Sequence, residues 1–322
     1  MPFGIPEPVV ALAVFLIGVG LVIVSVEAFV ETVSAGALAL GVSTFFLTVL
    51  LAGMDLENAI LGLAAVVRDL PGLALGTVFG EALFVLGVAV GVAGVLTPFE
   101  TTVPRSYLLL AAVSPALLIL LAADGTLSRL DGVVLTLAFL PLVAAVYVLE
   151  RGTSTRYLSA EEVEEIPEEE DDDIDRGWLK VVTIFLTVAG MTVGSELAVR
   201  GARDLLAVFG VSGLAFGATL MSFIASIEEL FLTVEPIRQG HPHLGVGNVV
   251  GSVLFFMTAN AGLIALVGPI PTDGAVVTVH WPFLLVALGL VVATLFRGRV
   301  GRLEGGFLLV VYAGYWGMNL LA

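Results

Sequence analysis

Apolar residues run through this chain in long blocks, broken by short polar stretches. Ten blocks stand out, with approximate limits 7–29, 33–63, 70–96, 106–123 and 131–150, then 176–200, 205–236, 242–268, 275–296 and 304–322. A helix of roughly 20 apolar residues crosses the hydrocarbon of a bilayer. The pattern therefore predicts an all-α integral membrane protein with ten transmembrane helices. Several blocks are longer than a crossing needs and carry Gly or polar residues in the middle, which predicts tilted or interrupted helices. The widest break, 151–177, holds the run EEVEEIPEEEDDDID (Glu161 to Asp175). It lacks the Gly and ligand spacing of an EF-hand, so it is expected to be a solvated acidic linker. It separates a five-helix segment at 1–150 from a second at 178–322.

The two segments repeat. Glu27-Ala28 followed by Gly41-Val42-Ser43 recurs as Glu196-Leu197 followed by Gly210-Val211-Ser212. Further along, Gly76-Thr77-Val78-Phe79-Gly80-Glu81 recurs as Gly247-Asn248-Val249-Val250-Gly251-Ser252, and Glu57-Asn58 falls opposite Glu228-Glu229. An odd number of spans per segment sends the second into the membrane from the opposite side. That predicts an inverted-topology repeat with a binding site near the midplane, where the halves meet.

Composition agrees with lipid as the main solvent. Only 13% of residues are charged against about a quarter in soluble domains, and the mean hydropathy is +1.08. The absence of cysteine removes disulfides, thiolate metal sites and thiol nucleophiles together. A net charge of −16 argues against nucleic acid as a partner, and with Lys180 as the single lysine it is the composition of a salt-loving source. The first apolar run has no basic leader and no small-residue cleavage site, so it is expected to be retained as a helix. With the N-terminus outside, the inward breaks hold Arg105, Arg151, Arg156, Arg176, Lys180, Arg238, Arg297, Arg299 and Arg302, and the outward ones only Arg68, Arg129, Arg200 and Arg203. This orientation is the expected one in a cell membrane, and it puts the acidic linker in the cytoplasm.

Within the blocks, ionisable residues are few and acidic. Carboxylates at membrane depth are costly and mark functional sites. Asp55 and Glu57 lie in GMDLEN (Gly53–Asn58), Glu81 in the third block, and Glu228 and Glu229 in SIEELF (Ser226–Phe231). Asp55 and Asn58 share a helix face, whereas Glu228 and Glu229 point about 100° apart, so one of them can face the centre while the other flanks it. Carboxylate, amide and hydroxyl oxygens without Cys or His suit hard cations such as Ca²⁺, Na⁺ or Mg²⁺. His241, His243 and His280 fall near block ends, away from these acids. Clustered carboxylates also make H⁺ a competitor for the same site.

At these residues the chain resembles the sodium/calcium exchanger family of the cation/calcium exchanger superfamily, in the form of its archaeal members. The half-repeats are similar to its α-repeats, typically G-T-S-x-P-E and, after a gap, G-N-x-x-G-S-N. They cover about 41–91 and 210–262. Gly247–Ser252 matches closely with Glu229 at the expected distance before it, and Pro71-Gly72-Leu73-Ala74-Leu75-Gly76 resembles the family's connection between its second and third helices. Asp124-Gly125 with Asp131–Leu135, and Gly301-Arg302, carry the likeness outside the repeats. The resemblance implies ten helices, ion sites in a diamond at the midplane, and alternating access by sliding of the first and sixth helices. The ligand positions depart from the family. Asn58 stands at the first glutamate, Glu57 and Glu228 at the prolines, Met54, Asp55 and Ala225 at hydroxyl positions, and Glu81 at a serine. Val85 and Phe256 replace the later amide or acid, while Ser226, Glu229 and Ser252 match.

The resulting expectation is a secondary-active cation antiporter with no enzymatic activity and no cofactor. It would move Ca²⁺ or another divalent cation in exchange for Na⁺ or H⁺, with Asp55, Glu57, Asn58, Glu81, Ser226, Glu228, Glu229 and Ser252 as the metal-binding set. Having fewer neutral oxygens and more acids favours a divalent ion exchanged for protons. Its partners would be inorganic cations and the lipid bilayer. The alternative is a non-transporting ion-binding or sensory membrane protein on the same fold. An intramembrane aspartyl protease or a retinal protein would need a second deep Asp or a mid-span Lys, and neither is present.

Overall fold

The computed structural model describes residues 6–39, 54–150 and 177–321. The acidic linker, the Gly41-Val42-Ser43 segment and Gly53 lie outside the described residues. Eleven helices are described: α1 Glu7–Ala39, α2 Leu56–Val67, α3 Pro71–Leu96, α4 Arg105–Leu121, α5 Arg129–Glu150, α6 Gly177–Phe209, α7 Gly213–Ala225, α8 Ile227–Arg238, α9 Pro242–Val267, α10 Val276–Phe296 and α11 Arg302–Leu321. Seven are long and apolar enough to cross a membrane, and the α7–α8 pair, bent by 49°, would make an eighth. The first expected break is absent, since α1 runs unbroken to Ala39 and takes in the start of the expected second span at 33–63, of which α2 is the other described helix. α11 has the length to cross but carries Arg302, Glu304, Tyr312, Tyr315, Trp316 and Asn319.

The two halves share element bounds. Leu56 answers to Ile227 and Val67 to Arg238; Pro71–Leu96 answers to Pro242–Val267. Within the latter pair each helix widens into a π-helical turn at the same place, Val85–Ala89 in α3 and Phe256–Asn260 in α9. Four two-residue strands follow the same plan: β1 Phe99–Glu100 pairs antiparallel with β4 Arg299–Val300, and β2 Thr126–Leu127 with β3 Ile270–Pro271. Each half thus clips onto the other. The turn from α2 to α3 has a left-handed residue at Asp69 (φ 59°), and the turn from α8 to α9 has Gly240 (φ 86°). Asp is one of the few residues with a Cβ that adopts this region readily, so one turn shape serves both halves.

Glycine fixes the packing. Association of helices in lipid relies on close van der Waals contact, which small residues allow. α1 and α6 run antiparallel in backbone contact: a Cβ on Gly18 would lie 2.2 Å from Ala198 N, and one on Gly201 would lie 2.5 Å from Phe15 N. α3 meets α7 through Gly76, Gly80 and Gly217. The far end of α3 meets α11 at Gly94 and Gly305, as the far end of α9 meets α5 at Gly262 and Gly132. Most of α3 and α9 is buried, whereas α1, α4, α5, α6 and α10 bury well under half of their residues. The most protected positions in the molecule therefore lie on α3 and α9.

The start of α5 carries a capping box. Ser128 N and Oγ donate to Asp131 Oδ2 at 2.8 and 2.5 Å, and Asp131 N reaches back to Ser128 Oγ at 3.3 Å. At the equivalent start of α11 only half of it remains, with Gly301 N donating to Glu304 Oε2 at 3.2 Å. Ser128→Ala is expected to cost about 1 kcal/mol, read as a lower thermal midpoint of the detergent-solubilised protein.

Candidate cation-binding centre

In both halves the acids stand at or just after the start of a short helix, and in the second half that start is a break between two helices. Ser226 (φ −95°, ψ 13°) ends α7 and starts α8, so Glu228 and Glu229 stand in the first turn of α8, where backbone N–H groups and the helix dipole favour negative charge. Asp55 holds the same place for α2. Its Oδ1 accepts from Asn58 N at 3.0 Å and its Oδ2 from Asn58 Nδ2. Ser226 is fully buried and makes no capping bond; its Oγ has no hydrogen-bond partner among the described residues.

Glu229 is tied to α9. Its Oε2 accepts from Asn248 Nδ2 at 2.6 Å and from Ser252 Oγ at 3.0 Å; Asn248 Nδ2 also lies 3.3 Å from Thr233 Oγ1. Glu81 is tied to the other half. Asn260 Nδ2 donates to its Oε2 at 3.2 Å, joining α3 to α9 deep in the protein. Each of these carboxylates, with Asp55, is thus held by a side-chain amide: Asn58, Asn248 or Asn260.

The sites read from sequence separate by burial. Asn58, Glu81, Ser226, Glu229 and Ser252 are buried. Asp55 and Glu57 are half-buried, and Glu228 is exposed. Helical geometry anticipated that Glu228 and Glu229 would divide in this way without saying which faces inward. The charges of Glu81 and Glu229 act on Asp55, and those of Glu229 and Glu57 act on Glu81, with no Lys or Arg among the charges acting on either. Asp55, Glu57, Glu81 and Glu229 form one electrostatic group in which an arriving cation would relieve mutual repulsion. Among the described residues no three His, Cys, Asp or Glu side chains converge closely enough to hold a metal ion. Neutral oxygens would have to complete any donor set.

Two members of the centre were not singled out from sequence. Asn248 lay in the repeat motif and was matched there by position alone. Asn260 is an amide in an apolar stretch beyond the repeat motif; that contrast is the one signal it gave. His280, by contrast, is buried beside aromatic rings: it stacks on Phe79 (5.3 Å, 27°) and its Nδ1 lies 2.7 Å from Tyr315 Oη. Of the other acids in the repeats, Glu196 forms ion pairs with Arg68 and Arg200 at the protein surface, which accounts for it without ion binding.

The family described as sodium/calcium exchanger protein matches residues 10–148 and 179–321. Putative antiporter CaxA of Alkalimonas amylolytica is 28% identical, covering 95% of this chain and 97% of its own length. Inner membrane protein YrbG of Escherichia coli K12 is 27% identical with the same coverage, and sodium/calcium exchanger MaX1 of Methanosarcina acetivorans is 24% identical over 94% of this chain and 96% of its own. A solved structure of the sodium-calcium exchanger NCX_Mj superposes with a TM-score of 0.56 at 22% identity, covering 94% of this chain and 96% of that one, a likeness of fold. The match spans both halves on either side of the acidic linker, and the chain is a multi-pass membrane protein that belongs to the sodium/calcium exchanger family.

Proposed function

We propose that this chain is a secondary-active antiporter that carries Ca²⁺ or another divalent cation in exchange for H⁺ or Na⁺ by alternating access. One observation carries the reading: acids from both halves come together, the charges of Glu81 and Glu229 acting on Asp55 and that of Glu229 acting on Glu81. A cation or a proton that binds there relieves the repulsion among the acids, so the two compete for one place, which is the condition for exchange. The names of CaxA and MaX1 as antiporter and exchanger support it. The matching element bounds support ten spans in two inverted repeats at 1–150 and 178–322, and the distribution of Arg and Lys supports a cytoplasmic linker at 151–177 with the N-terminus outside. Asp55, Asn58, Glu81, Ser226, Glu229 and Ser252 form the centre, Glu57 adds charge at its edge, and Glu228 stands at the flank.

The excess of carboxylates over hydroxyl oxygens favours the proton as counter-ion. In proteoliposomes, uptake of radioactive Ca²⁺ is expected to follow an imposed pH gradient. Uptake that follows a Na⁺ gradient and ignores pH would replace the proton by Na⁺. A chain that moves no Ca²⁺ under either gradient is not this antiporter.

A further inference from the structure

α3 and α9 meet inside the protein at Glu81 and Asn260, neither of which has any exposed surface. Asn260 Nδ2 donates to Glu81 Oε2. That single bond leaves Glu81 Oε1 and Asn260 Oδ1 as buried acceptors with no hydrogen-bond partner among the described residues. Burying an acceptor without a partner costs about 1–3 kcal/mol, so two such oxygens on one interacting pair call for an explanation.

We infer that a transported cation binds between Glu81 Oε1 and Asn260 Oδ1, and that Asn260 is one of its ligands and helps to set which cation is taken. The nature of the occupant rests on the antiporter reading; the position rests on the two oxygens. One carboxylate with neutral amide oxygen is a donor set for a hard cation, and the ion supplies what both oxygens lack. The position is distinct from that of Glu229, whose Oε2 already accepts from Asn248 and Ser252.

The backbone explains why the ligand sits here. Phe256, at the position where the resemblance implies an amide or acid, opens the π-helical turn that Asn260 closes. An oxygen lost at the start of the turn returns at its end, and π turns of this kind gather at functional sites. The partner helix carries the same widened turn, Val85–Ala89, just after Glu81. On α2, Gly62 leaves room beside the amide: a Cβ there would lie 3.7 Å from Asn260 Oδ1 and 3.1 Å from Ile264 Cγ2.

The test is equilibrium binding of radioactive Ca²⁺ and, separately, radioactive Na⁺ to the full chain in lipid nanodiscs. Asn260→Ala is expected to weaken binding of at least one of the two cations about tenfold or more. Asn260→Asp, which keeps an oxygen and adds charge, is expected to restore most of the binding and to shift the preference toward Ca²⁺. A purely structural role for Asn260 would not move that preference. Wild-type affinity for both cations in Asn260→Ala overturns the inference, as does a wild-type chain that binds neither. Should Asn260→Ala fail to assemble, an unchanged Ca²⁺/Na⁺ preference in Asn260→Asp overturns it alone. Asn260-dependent binding in a chain without flux under any gradient would support this site while removing the antiporter reading.

Discussion

Glu229→Gln is expected to lower cation flux in proteoliposomes by at least about 10²-fold, the kinetic equivalent of about 2.7 kcal/mol, while leaving the fold intact. The amide keeps the size of the side chain, and its oxygen still accepts from Asn248 and Ser252, the two donors that hold Glu229 against α9. What disappears is the charge. Glu229 is the one acid whose charge acts on both Asp55 and Glu81, so its removal relaxes the whole group and with it the need for a cation. The thermal midpoint of the solubilised variant is accordingly expected to hold or rise. Wild-type flux in this variant would take Glu229 out of the transport path. A matched loss of flux and of thermal stability would make it a structural residue instead.

The placement of Glu229 was legible in the sequence for a specific reason. It lies in a repeat motif and in an apolar span, and both of these signals are local; the helix start at Ser226, inside the expected span 205–236, was not among them. The long apolar blocks likewise announced most of the membrane helices, and the spacing of Gly76 and Gly247 anticipated that α3 and α9 would be twins. Asn260 shows where such reading ends. Its partner Glu81 is 179 positions away, and no periodicity links the two. The π-helical turn also rotates the residues beyond it by up to about 100° about the axis of α9, so a register counted at 3.6 residues per turn misplaces Asn260. Helical geometry alone could not choose between Glu228 and Glu229, and only the motif match favoured Glu229. Neighbours on a helix differ by about 100°, and only the position of α9 decides which of them is inward. His280, read as a residue near a block end, is enclosed by Phe79 of α3 and Tyr315 of α11, because it lies on the face of α10 that packs against those helices.

The helix seams that hold the centre lead to the second large effect. Gly76→Val is expected to destabilise the protein by about 3 kcal/mol or more, seen as aggregation or a sharply lower thermal midpoint in detergent. A Cβ on Gly76 would lie 2.3 Å from Leu214 O, 2.9 Å from Ala218 N and 3.1 Å from Gly217 Cα, and one on the facing Gly217 would lie 2.2 Å from Leu73 O. All four contacts are with backbone, so no rotamer change can relieve them, and α3 must move away from α7. Glu81 follows Gly76 on α3, and α7 leads directly into the break at Ser226 that presents Glu229. Separation of the two helices would therefore pull apart the two halves of the centre as well as the core. Gly20→Val supplies the control: Gly20 is exposed on α1 with nothing within 4 Å of its Cβ position, and its replacement is expected to stay within about 0.5 kcal/mol of wild type. Equal stability of Gly76→Val and Gly20→Val would mean that α3 and α7 are not in backbone contact, and the route by which the fold brings Glu81 toward Glu229 would have to be sought elsewhere.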